Sequence, residues 1–141
     1  MLAVRLVVDT NILVSAALKP ESLQRTVILL AITKPARLYV TPAIIEEYAE
    51  VLARRELNIR KSIRLQLLQM IRNRCFSVTP RRRIEITSDP DDNIFIECAD
   101  AARADYLITG NQRHFPRFWK GTKVITSREF IGIAAPHLLP R

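Results

Sequence analysis

The stretch Leu2-Ala3-Val4-Arg5-Leu6-Val7-Val8-Asp9-Thr10-Asn11 decides the fold. A mostly apolar run with β-branched residues, short enough for a buried strand, gives way at Asp9 to polar residues that open a helical pattern. Asp9 therefore stands at the carboxyl end of a strand from Leu2 to Val8. The helix that follows runs from about Ile12 to Leu18. Pro20 breaks it, and Ser22 caps a second helix carrying Leu23, Val27, Ile28, Leu30 and Ala31.

The alternation continues along the chain. Leu38 to Val40 reads as a short strand, after which Thr41-Pro42 supplies an N-cap and a proline at the first helical position of a helix reaching about Arg54. Apolar residues at Ile63, Leu67, Leu68 and Ile71 make about 59–74 an amphipathic helix, and Phe76 to Thr79 a third strand. Asp89-Pro90-Asp91-Asp92 starts a helix that Ile94 to Ala104 continues, followed by a fourth strand at Tyr106 to Thr109. Gly110 to Gly121 is loop with a short Phe115-Pro116 interruption, Lys123 to Ile125 a fifth strand, and Ser127 to Ile133 a closing helix. Strand then helix, repeated, predicts an α/β domain over residues 1–141 with a parallel sheet flanked by helices. The tail from about Pro136 has too little pattern to assign and is expected to fray.

Composition narrows the classes. A chain of 141 residues supports one ordinary domain, and 48% hydrophobic with 26% charged residues excludes disordered and fibrous proteins. Arg5, Asp9 and Asn11 interrupt the apolar start, so no signal peptide and no membrane span is expected. Cys75 and Cys98 have neither metal-ligand spacing nor a disulfide framework and read as buried thiols of a reducing cytoplasm. The net charge of +8 attracts polyanions, which makes nucleic acid or an acidic protein the leading partner. A thinly spread solubilising surface accounts for the charge equally well.

Ligands of open parallel sheets bind beyond the carboxyl ends of the strands. Asp9 lies at such an end, and Glu47 and Asp92 lie just after others. Mg²⁺ and Mn²⁺ prefer oxygen ligands, and such ions can position water and stabilise attacking and leaving oxygens in phosphodiester cleavage. Each acid also has a plainer role. Taken alone, Asp9 reads better as a helix cap than as a catalytic group, and Asp89, Asp91 and Asp92 suit the cap and first turn of a helix. In the helix from Pro42, Ile44, Ile45, Tyr48, Val51 and Leu52 form the core stripe. Glu47 flanks that stripe, while Glu46 and Glu50 point toward solvent.

Four ordered motifs then carry a resemblance: Val7-Val8-Asp9-Thr10-Asn11, Thr41-Pro42-Ala43-Ile44-Ile45-Glu46-Glu47-Tyr48, Asp89-Pro90-Asp91-Asp92-Asn93 and Thr109-Gly110-Asn111-Gln112-Arg113-His114-Phe115. Together they resemble PIN-domain nucleases, and most closely the toxin components of bacterial or archaeal toxin–antitoxin pairs. The similarity extends to Ile125-Thr126 and Glu129-Phe130. It implies a three-layer PIN-like domain with a central parallel β-sheet. It further implies Mg²⁺ or Mn²⁺ held by the catalytic carboxylates Asp9, Glu47 and Asp92, and endonucleolytic hydrolysis of RNA by metal-activated water. A cognate antitoxin is the implied protein partner, with a homodimer also open.

Many PIN enzymes place Asp where this chain has Asn111, which offers a carbonyl oxygen without charge. One well-occupied metal site and a weaker second one are therefore expected. Thr10, Asn11 and Thr109 are candidates for orienting carboxylates or metal-bound waters, and His114 for facing the loop or the substrate. The run Arg81-Arg82-Arg83 precedes the Asp92 segment and suits phosphate positioning, although antitoxin binding or loop solvation explains it equally well.

Competing classes fare worse or differ in one respect. A phosphatase of the haloacid-dehalogenase type expects a second Asp at the position held by Asn11, and three glycines do not make a P-loop. A non-catalytic RNA- or protein-binding module on the same fold is the remaining alternative, separated from the enzyme by metal-dependent cleavage.

Overall fold

A computed structural model describes residues 3–140. The chain forms β1 (Arg5–Val8), α1 (Thr10–Leu18), α2 (Leu23–Ala31), β2 (Arg37–Val40), α3 (Pro42–Leu52), α4 (Lys61–Arg74), β3 (Phe76–Ser77), α5 (Pro90–Ala102), β4 (Tyr106–Ile108), β5 (Phe118–Trp119), β6 (Thr122–Ile125) and α6 (Ser127–Ala134). The strands make one sheet in the order β3-β2-β1-β4-β6-β5. Every neighbouring pair is parallel except β5 with β6. The chain leaves β1 for β2 on one side and later returns to β4 on the other. The carboxyl ends of β1 and β4 thus border the point where connections diverge, which is where open sheets bind ligands.

Local chemistry explains the helix starts. The Ser22 side chain accepts from the Arg25 N–H at 3.2 Å, and Thr41 accepts from Ile44 N–H at 3.2 Å ahead of Pro42. Asp89 accepts from Asp91 N–H at 3.0 Å ahead of Pro90, and Thr126 with Glu129 forms a capping box on α6. Each such cap contributes about 1 kcal/mol. Leu6, Val7, Val8, Leu107 and Ile108 are fully buried, as strands covered on both faces must be.

Several expectations need correction. Of the expected first strand, Leu2 lies outside the described residues and Ala3 and Val4 precede β1. A 3-10 turn at Arg55–Leu57 separates α3 from α4. Helix α5 stops at Ala102 because Arg103 takes the left-handed conformation, φ 51°. The segment expected as loop before Gly121 contains a 3-10 turn, Gln112–His114, and the edge strand β5, which pairs antiparallel with β6. The tail does not simply fray: Pro136–Leu138 forms a 3-10 turn and Leu139 packs against the core. Cys98 is buried, but Cys75 is only half-buried at the end of α4. No helix among the described residues is long and apolar enough to cross a membrane.

Candidate functional site

Parallel pairing sets the first part of the site. Val7 lies opposite Leu107 and Val8 opposite Ile108, so the next residues, Asp9 and Thr109, emerge side by side. The Asp9 N–H donates to the Ile108 carbonyl at 2.9 Å, and the Thr109 hydroxyl donates to Asp9 Oδ2 at 2.7 Å. The Asp9 side chain makes no capping bond to α1, so the helix-cap alternative is not the role it plays. With only 6% of the residue exposed, burial raises its pKa above the ordinary carboxylate value. The Thr109 hydrogen bond opposes that rise, and the neighbouring charge of Glu47 adds to it.

Helix α3 is fixed by a residue whose sequence position suggested only packing. Tyr48 is fully buried and its hydroxyl donates to the Val8 carbonyl, tying α3 to the last residue of β1. Glu47 is thereby placed to accept a hydrogen bond from the Thr10 hydroxyl. Glu46 is exposed, and exposed Glu50 pairs instead with Arg54 at 3.0 Å. The helical register expected from the apolar stripe is the one observed.

The start of α5 brings the third acid. Asn93 is buried, and its Oδ1 accepts from the N–H groups of Ile86 at 3.2 Å and Thr87 at 2.9 Å, locking the incoming loop to the helix. Asp92, in the first turn, has a buried Oδ2 with no hydrogen-bond partner, 3.7 Å from His114 Nδ1. Burial, and then the charges of Asp9 and Asp89, push its pKa up to about 6. Asn11 Oδ1 accepts from Gly110 N–H at 3.2 Å, and Asn111 N–H donates to Thr109 Oγ1 at 3.0 Å, so the fourth motif is tied to the first.

These groups line one open cleft of about 370 Å³. Asp9, Thr10, Asn11, Glu47, Asp92, Asn111 and His114 all face it, with Thr109 buried beneath. Glu56, Asp89 and Asp91 also line it, which makes six carboxylates with Arg54 and His114 as the cationic or potentially cationic side chains. Glu56 was not legible in the sequence, because it reaches the cleft only through the 3-10 turn after α3. The arginine run is elsewhere. Arg82 pairs with Asp100 at 3.3 Å, Arg81 lines a separate cavity beside the amino ends of β4 and β6, and Arg83 lines another together with Pro90 and Glu97.

Among the described residues, no group of three or more His, Cys, Asp or Glu side chains is arranged to hold a metal ion by itself. The donor set nevertheless fits a hard cation. Mg²⁺ keeps several waters and uses one or two carboxylates, and an orphaned, buried carboxylate oxygen beside a second acid of raised pKa is stabilised by a positive occupant. Glu47 lines the same cleft, with one oxygen engaged by Thr10.

The family model of the PIN domain matches residues 5–113, and the chain belongs to that family. The match spans the first three motifs and reaches into the fourth. Among solved structures, a chain from the crystal structure of VapBC2 from Rickettsia felis bound to a DNA fragment from their promoter is similar, with a TM-score of 0.57. The identity is 13%, covering 86% of this chain and 98% of that one, so the likeness is one of fold. No curated protein matches the chain.

Proposed function

We propose that the protein is a metal-dependent endoribonuclease and the toxin of a toxin–antitoxin pair. The observation that carries this reading is the unpartnered buried oxygen of Asp92 in a cleft shared with Asp9, at the divergence point of the sheet. PIN domains generally use divalent metals. Asp9 and Asp92 would hold Mg²⁺ or Mn²⁺, with Glu47 and the Asn111 carbonyl oxygen completing the oxygen-rich wall. When bound, the ion supplies charge neutralisation and a water of lowered pKa.

The remaining work falls to the chain's own groups. Thr109 holds Asp9 in one orientation and favours its ionised form. Thr10 fixes Glu47, whose carboxylate can orient and accept a proton from an attacking water. His114, more than half exposed on the solvent side of Asp92, faces an incoming phosphate. The uncharged Asn111 favours one well-occupied metal site over two.

RNA as substrate is supported by the net charge of +8 and by the motif resemblance. A protein partner is supported by the similar solved structure, which is of VapBC2 bound to promoter DNA. The test is incubation of purified protein with several RNAs in Mn²⁺, Mg²⁺ or EDTA. Metal-dependent cutting abolished by EDTA supports the reading, whereas RNA binding with no cutting in either metal favours the binding module.

A further inference from the structure

The acidic cleft is poorly equipped to retain a polyanion without its ion. Arg54 is committed to Glu50, and His114 sits against Asp92. Of the run Arg81-Arg82-Arg83, Arg81 instead borders a second cavity of about 440 Å³ near the amino ends of β4 and β6, and Arg82 pairs with Asp100 in its wall. Its walls include Arg81, Arg103, Lys120 and Trp119, over apolar Ala99 and Ala104.

This cavity is internally organised. The Asp100 side chain is 3% exposed and accepts from Trp119 Nε1 at 3.2 Å, while Lys120 Nζ lies 3.1 Å and Arg82 3.3 Å from the same oxygen. The buried charge is thus compensated, and the indole is held in one orientation. Arg82 and Lys120 also lie 5.6 and 5.8 Å from the centroid of the Trp119 ring. Exposed Arg81 and Arg103 make no ion pair among the described residues.

We propose that this cavity is a second RNA subsite, which takes an unpaired nucleotide of the substrate with its base against Trp119 and its phosphate at Arg81 and Arg103. The proposal rests on the RNA reading of the acidic cleft. A fixed aromatic wall flanked by spare cations suits nucleic acid, since every base has a face to stack and every nucleotide a phosphate. An acidic peptide would use the arginines but has no comparable use for the indole. Helix α5 joins the two sites, with Asp92 in its first turn and Arg103 just past its end. The rise from Asp92 to Arg103 puts them roughly 17 Å apart along the helix. Only RNA long enough to cover that distance gains from both.

Trp119 is the only tryptophan in the chain, so its fluorescence reports on this cavity alone. In EDTA, a single-stranded oligouridine should quench Trp119 saturably. Arg81→Gln combined with Arg103→Gln should weaken RNA binding about tenfold and flatten the log–log salt dependence by about 0.7, the contribution of one single-strand phosphate. The double Lys variant should restore both, with unchanged circular dichroism in each protein. RNA binding without quenching, or an unaltered salt slope in the Gln variant, would overturn the subsite. So would quenching by polyglutamate but not by RNA, which would mark an acidic-protein surface. Because these readouts need no cleavage, quenching in a protein that never cuts RNA would retain the subsite and remove the nuclease reading. Metal-dependent cutting with a silent Trp119 would do the reverse.

Discussion

The Thr109 hydroxyl donates to Asp9 Oδ2 across 2.7 Å, joining the residue after β4 to the residue after β1 although 100 positions separate them. Parallel pairing makes this bond possible, and burial makes it matter. Asp9 is pulled toward its neutral form by desolvation, and the Thr109 bond is the main opposing influence.

Thr109→Val keeps the side-chain shape and removes that donor. We expect kcat for RNA cleavage to fall by about 10- to 100-fold. The acid limb of the pH–rate profile should move to higher pH, because Asp9 would ionise less readily. Steady-state rates across the acid range check this, and an unmoved limb would leave Thr109 as ordinary strand-end structure.

The same electrostatics predict a pH dependence of stability in metal-free protein. Asp92 titrates near 6 in the folded state and from the ordinary value of 3.8 when unfolded, and Asp9 is raised in the same direction. Between these values the folded state binds more protons, so this contribution is complete below about 4 and is lost as pH rises through about 6. Asp100 runs the opposite way. Burial raises its pKa, but hydrogen bonds from Trp119, Lys120 and Arg82 bring it below 3.8 overall, so its contribution is lost only as acid protonates it. Comparing melting temperatures of the wild type and Asp92→Asn in EDTA isolates the first effect. The variant should gain on the wild type as pH climbs from about 4 to 6, and millimolar Mn²⁺ should remove that advantage. A constant difference across this range would mean that Asp92 carries no such strain.

Glu46 and Glu47 are adjacent and chemically identical, yet one is exposed and the other accepts from Thr10 at the cleft. Glu47→Gln should weaken Mn²⁺ binding and cut RNA cleavage by orders of magnitude, whereas Glu46→Gln should change stability by about 0.5 kcal/mol or less. Calorimetric Mn²⁺ titration and cleavage rates distinguish them. An inactive Glu46→Gln beside a normal Glu47→Gln would overturn the role assigned to Glu47.

What could be read in advance followed from local patterns. The apolar run into Asp9 placed β1, the stripe Ile44, Tyr48 and Leu52 set the α3 register, and Asp89-Pro90 marked the start of α5. Strand β5 was missed because two residues cannot display an alternation, and its pairing with β6 is a tertiary fact. Tyr48 looked like core alone, since nothing in its neighbourhood specifies the Val8 carbonyl as its acceptor. The arginine run lies away from the cleft because closeness to Asp92 in sequence is not closeness in space. Residues 81–83 precede a stapled loop, and Arg82 is drawn to Asp100, two turns along α5, and to Trp119.

The most direct test of the nuclease assignment is RNA cleavage by Asp9→Asn in Mn²⁺, compared with the wild type in Mn²⁺ and in EDTA. Asn preserves the shape and can still accept the Thr109 hydrogen bond, but it lacks the charge that an ion requires. The wild type should cut RNA in Mn²⁺ and not in EDTA, while the Asp9→Asn protein, folded by circular dichroism, should not cut in either. Full metal-dependent cleavage by folded Asp9→Asn would contradict the account.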